Sequence, residues 1–220
     1  SKLPIRHLNI QNIMITDHDI DHLSKLPIQS LMIYIPMMIV NSRYISKRPL
    51  ITDTGFEHLS KSSITDLYIH SYGLSCQVTD IGYLHLSKLS LNHLTLDDII
   101  ITDVGLKHLS KSPLKTLTIR DQCGVITDTG LEHLKKSSIV ELIIEIQECK
   151  ITDVGLSHLS ETKLTKLHIV SQDCNITDAG MLHLLKLPLI EVKITGCHLS
   201  SVTLKHLKQI KSLKKIITDI

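Results

Sequence analysis

Histidine and cysteine are the side chains in this 220-residue sequence with the widest chemistry, and its fourteen histidines and five cysteines are not scattered. Eight histidines, His22, His58, His85, His108, His133, His158, His183 and His206, each stand one residue before a leucine. Imidazole titrates near neutral pH, so a regular row of them could charge in acid and loosen whatever it lines; the plainer alternative is a set of amphipathic rings packed at the edge of an apolar face. His18 and His22, four apart beside Asp19 and Asp21, are compatible with a surface metal site, but this spacing alone is weak, and no metal or other cofactor is expected. The cysteines Cys76, Cys123, Cys149, Cys174 and Cys197 share one position, two or three residues ahead of a recurring segment. Their odd number and the lack of a CxxC pair point to buried free thiols in a reducing, intracellular compartment rather than to disulfides or zinc. No GxSxG, HExxH or phosphate-loop motif is present, so the chain is not expected to be an enzyme. The enzyme alternative would need catalysis in another domain or an unusual set such as Asp97, Arg120 and Glu145.

These residues are placed by a repeat. The pattern ITDxGLxHLSKxxLxxLxI returns with unit starts at Ile15, Ile51, Val78, Ile101, Ile126, Ile151, Ile176 and Leu199, at intervals of 36, 27, 23, 25, 25, 25 and 23 residues. Residues 1–5 repeat the SKLPI of residues 24–28, so the chain enters in mid-repeat, and Ile5, Leu8 and Ile10 are expected to add one more strand. We therefore expect one domain over residues 1–220, with about eight repeats and a partial first one, belonging to a longer protein. The long first interval places an insertion at residues 34–50, rich in Met, Ile and Val and followed by Arg43, Lys47 and Arg48. It is either an adaptable partner-binding rim or a loop folded over the first repeats.

Within a unit, Leu114, Leu117 and Ile119 end in the alternation of a strand, whereas Asp103 to Lys111 sets Gly105, Leu106 and Leu109 on one helical side and Lys107 and Lys111 on the other. Thr or Ser in the second column and Asp in the third are the chemistry of a helix start. Glycine in the fifth column is unfavourable in a helix, so its return at Gly55, Gly82, Gly105, Gly130, Gly155 and Gly180 predicts close approach to a neighbour. Paired strands lie about 4.8 Å apart and packed helices about 8–10 Å, so a stack of such units bends with its strands inside. The expected fold is α/β: a horseshoe solenoid with a parallel sheet on the concave face and short helices on the convex face.

These columns resemble the leucine-rich repeat proteins, and the cysteine-bearing units are similar to the cysteine-containing subclass known from F-box substrate-recognition subunits of ubiquitin ligases and from effectors of intracellular bacteria. The resemblance implies a non-catalytic module for protein–protein interaction. A net charge of +2 offers no basic excess for nucleic acid, and the apolar run from Leu31 to Val40 is too short for a membrane span and holds Pro36. One protein partner of unknown identity, no nucleic acid, no membrane span and a monomeric state are expected. Lysine outnumbers arginine 20 to 4 and Ala179 is the only alanine, a bias that suits an AT-rich genome. The effector reading is therefore preferred, acting on host proteins after secretion into a host cell, with a cytoplasmic ubiquitin-ligase adaptor as the alternative.

Because strand side chains alternate, the residues between the core positions face the concave side and differ from unit to unit. The partner-binding residues expected there are Tyr34, Tyr68, His70, Tyr72, His93, Asp97, Arg120 and Glu145, since exposed Tyr near Arg is the usual make-up of an interface hot spot. Phe56 and Tyr83 fall in the helical core column instead and are expected to pack.

Overall fold

Alternating apolar residues at the end of each unit form strands β1 His7–Gln11, β2 Ser30–Ile35, β3 Asp66–Ser71, β4 His93–Asp97, β5 Thr116–Asp121, β6 Glu141–Ile146, β7 Lys166–Asn175, β8 Glu191–Cys197 and β9 Lys215–Thr218. They pair in chain order, every pair parallel, as one continuous sheet. The computed structural model describes residues 4–36, 39–40, 43–44, 51–71, 76–121 and 125–219. Of the insertion at 34–50, an antiparallel pair of Ile39–Val40 with Arg43–Tyr44 is described, while residues 37–38, 41–42 and 45–50 lie outside the described residues.

Each connection between neighbouring strands carries a helix: α1 Asp17–Ser24, α2 Asp53–Leu59, α3 Asp80–Leu86, α4 Asp103–Leu109, α5 Asp128–His133, α6 Asp153–Leu159, α7 Asp178–Met181 and α8 Ser201–Leu207. α7 is short and continues as a 3-10 turn over Leu182–Lys186. None of the described helices is long and apolar enough to cross a membrane. The buried strand residues, such as Leu117, Ile119, Leu142 and Ile144, join the helical residues Leu106, Leu109, Leu131 and Leu134 in one apolar core. Phe56 and Tyr83 pack in that core as expected, ring edge to ring face with centroids 6.0 Å apart, and the Tyr83 hydroxyl donates to the Ile100 carbonyl at 2.7 Å.

The aspartate column does more than the helix capping the sequence suggests. The second-column hydroxyl caps its own helix, as where Thr127 Oγ1 accepts from the Thr129 N–H at 3.2 Å. The third-column Asp, however, reaches into the following unit: Asp103 accepts from the Thr127 N–H at 2.9 Å and from the Thr127 hydroxyl at 2.6 Å. Asp17, Asp53, Asp128, Asp153 and Asp178 do the same toward Thr52, Thr79, Thr152, Thr177 and Ser200, and Asp80 accepts from the Thr102 hydroxyl at 2.7 Å. A one-dimensional stack needs bonds across its unit junctions, and this column supplies a charge-assisted one at each of seven.

The aspartates also account for the glycines. A Cβ built on Gly130 would collide with Asp103 Oδ1, and the same carboxylate is nearest to Gly155 and Gly180 in their units. The two ends of the row depart in complementary ways. At the first, Asp19 stands in the glycine column and bonds back to Thr16 N–H and Oγ1 at 2.9 and 2.7 Å, doing within one unit what a preceding Asp does elsewhere. At the last, buried Thr203 takes the glycine position and donates to Asp178, while Ser201 stands where the next Asp would be.

The cysteine column corrects one expectation. Cys174 and Cys197, 23 residues apart, form a disulfide rather than two free thiols. They are register partners on β7 and β8 with Cα atoms 4.9 Å apart, within the range a disulfide spans. Cys76 and Cys149 are free, and burial pushes the Cys76 thiol up to about 12 and that of Cys149 above its usual value. Cys123 lies outside the described residues.

Candidate functional site

The helices cover one face of the sheet and leave the other open. On the open face parallel register turns the variable positions into three rows crossing the strands. One runs Ser30, Asp66, His93, Thr116, Glu141, Lys166, Glu191; the next Met32, Tyr68, Thr95, Thr118, Ile143, His168, Lys193; the third Tyr34, His70, Asp97, Arg120, Glu145, Val170, Thr195. Most are half-buried, because neighbours about 4.8 Å away shield each other's flanks.

Six of the eight expected residues form one connected group. The Tyr34 ring lies 4.9 Å from that of Tyr68 and 6.1 Å from that of His70, centroid to centroid. Asp97 is the hub: its Oδ2 accepts from the Tyr68 hydroxyl at 3.0 Å, lies 3.2 Å from His70 Nδ1 and 3.7 Å from an Arg120 guanidinium nitrogen. Arg120 Nε in turn donates to Glu145 at 2.9 Å. Burial and the bond to Asp97 raise the Tyr68 phenol above its ordinary value, so it stays a donor. Burial opposes the Arg120 charge, but Glu145 and Asp97 outweigh it and the guanidinium is held more firmly protonated than usual. The other two expected residues do not join. His93 sits toward the opposite ends of the strands, 3.7 Å from Asp66, and Tyr72 lies outside the described residues.

Two groups escaped the sequence reading. Asp98 follows β4 with φ of 56°, a left-handed turn that breaks the alternation and brings its carboxylate back beside Asp97. Burial and the Asp97 charge raise its carboxyl. His70, Asp97 and Asp98 offer ligand atoms all within 4.8 Å of one another and could hold a metal ion. The doubled acid in Asp97-Asp98 was the only signal. Farther along, Glu191 binds Lys215 at 2.8 Å and His168 at 3.0 Å, a cluster assembled from three strands. The bond to Lys215 first, and then that to His168, holds the Glu191 carboxyl below its usual range, whereas burial pulls the His168 imidazole down despite Glu191.

Two hollows open on this face. One of about 310 Å³ is bordered by Asp98, Arg120, Asp121, Glu145 and Gln172. The other, about 360 Å³, has Met32 and Tyr68 in its lining with Asp66, His93 and Thr95 around it. Chemically the face is a pre-arranged polar surface with small apolar depressions. No protein-family model matches the sequence, and no curated protein matches it.

Proposed function

We propose that the chain is a leucine-rich repeat horseshoe of the cysteine-containing subclass, whose open sheet face is concave and binds one protein partner without catalysing a reaction. The observation that supports this is the division of labour on the sheet: residues that repeat are buried on the helix side, and residues that vary stand in register on the open side. An ordered surface of Tyr, Arg and carboxylates loses little side-chain freedom when a partner docks, which favours binding. Within that reading, an effector acting on host proteins is preferred to an adaptor, on the single alanine and the lysine excess.

The test is affinity capture from host or source lysate with the wild type beside Tyr68→Ala and Arg120→Glu, after circular dichroism shows all three folded. A prey retained by the wild type and lost from both variants supports the face. The same prey in all three would place binding elsewhere and overturn the proposal. Ubiquitin-ligase subunits among the lost prey would favour the adaptor.

A further inference from the structure

The open face is electrically divided, although the chain as a whole carries only +2. Across β3 to β6 the carboxylates Asp66, Asp97, Asp98, Glu141 and Glu145 share the face with one guanidinium, Arg120. Across β7 to β9 the sign reverses, with Lys166, Lys193 and Lys215 around Glu191. The acidic half is thus a local arrangement and not a reflection of composition.

Internal pairing uses only part of this charge. Arg120 is engaged by Asp97 and Glu145. Among the described residues no ion pair within 4.0 Å engages Asp98 or Glu141, and Asp66 accepts the Thr65 hydroxyl at 2.7 Å and pairs with the His93 imidazole at 3.7 Å. The Asp66 side chain is 38% exposed, so a docking cation can reach it. Beside it the larger hollow offers Met32 and Tyr68, the surface over which the stem of a Lys or Arg lies while its charged end meets a carboxylate. The second hollow, bordered by Asp98 and Glu145, lies two to three strands away. Asp98 itself lies one strand over from Asp66 and five residues beyond His93, the register partner of Asp66, which at about 4.8 Å per strand and about 3.3 Å per residue is roughly 14–17 Å, a span an extended chain covers in about four to five residues.

We infer that the acidic half of this face receives an extended basic segment of a protein, with one Arg or Lys over Tyr68 and Met32 reaching Asp66 and a second, about four to five residues on, reaching Asp98. This rests on the protein-docking reading and adds the sign and spacing of the partner. Phosphate-rich partners are disfavoured on the same half by the unpaired carboxylates.

The probe is a fluorescein-labelled peptide with two arginines separated by three residues in a Ser/Gly background, read by anisotropy at about 50 mM salt, where surface charges are weakly screened. EDTA is present, so that a cation at His70, Asp97 and Asp98 plays no part. The arginine peptide should bind, and its glutamate counterpart should not. The pair Asp66→Asn and Asp98→Asn, which keeps shape, should weaken binding about tenfold, and Lys193→Glu should not weaken it. Equal binding of the two peptides, binding indifferent to the Asp66 and Asp98 changes, or no binding of the arginine peptide overturns the inference. Amide shift mapping separates the two failures. A glutamate peptide that perturbs Tyr68, Thr95 and Arg120 leaves the docking face standing and removes only the basic partner. A lysate prey lost with Tyr68→Ala but indifferent to Asp66→Asn does likewise, whereas prey indifferent to Tyr68→Ala removes the face itself.

Discussion

Asp103 and Gly130 show how two residues of different columns act as one. The carboxylate holds Thr127 by two hydrogen bonds and occupies the space where a Cβ on residue 130 would stand. Asp103→Ala leaves a backbone N–H and a hydroxyl without their charged acceptor, and should cost about 1–3 kcal/mol in urea unfolding. Gly130→Ala alone should cost a similar amount through collision, although alanine is intrinsically better in a helix by about 1 kcal/mol. In the double variant the collision with the carboxylate is gone and the remaining close neighbour is the movable Leu106 methyl at 2.9 Å, so the two costs should not add; simple additivity in a double-mutant cycle would refute the coupling. His168 supports a pH prediction. Its folded-state pKa lies below the unfolded value of about 6.5, chiefly through burial, with Lys166 and Lys193 acting in the same direction and Glu191 against. A depressed histidine contributes stability above the unfolded pKa that is lost as pH falls below it. His168→Gln should therefore flatten the dependence of unfolding free energy on pH between about 7 and 5, and an unchanged slope would count against the burial argument.

At the scale of elements, a strand or the loop after it presents Cys76, Cys149, Cys174 and Cys197 to the core. Because burial raises the thiols of Cys76 and Cys149, the former to about 12, little reactive thiolate is present at neutral pH. Neither should react with iodoacetamide in the native protein, and both should react in urea, as peptide mass mapping would show. Rapid native alkylation at either site would mean that the loop column is open. The end units form their own elements differently. Asp19 supplies α1 with the carboxylate that other units receive from a neighbour, and Thr203 fills the space that glycine leaves elsewhere.

Across the whole molecule, every unit touches only its neighbours, so stability should follow position in the stack. Amide hydrogen exchange should be slowest in β5, which has four strands on either side in the sheet order, and in its neighbours β4 and β6, and faster in β1 and β9 at its edges. Uniform protection across the nine strands would instead indicate a single cooperative unit.

What the repeat made legible follows from local rules. Alternation marked the strands, a 3.6 period marked the helices, and a shared repeat column put Tyr34, His70, Asp97, Arg120 and Glu145 into one row, because parallel register converts column number directly into position. Which of those residues bond to one another was not legible. That Asp97 is the hub for Tyr68, His70 and Arg120, that Asp98 turns back toward it, and that Cys174 meets Cys197 all depend on distances between strands and on one left-handed turn. The aspartate column was legible only in part for the same reason. Its capping role is a property of neighbours in the chain, whereas its bond to the next unit exists only once two units lie side by side.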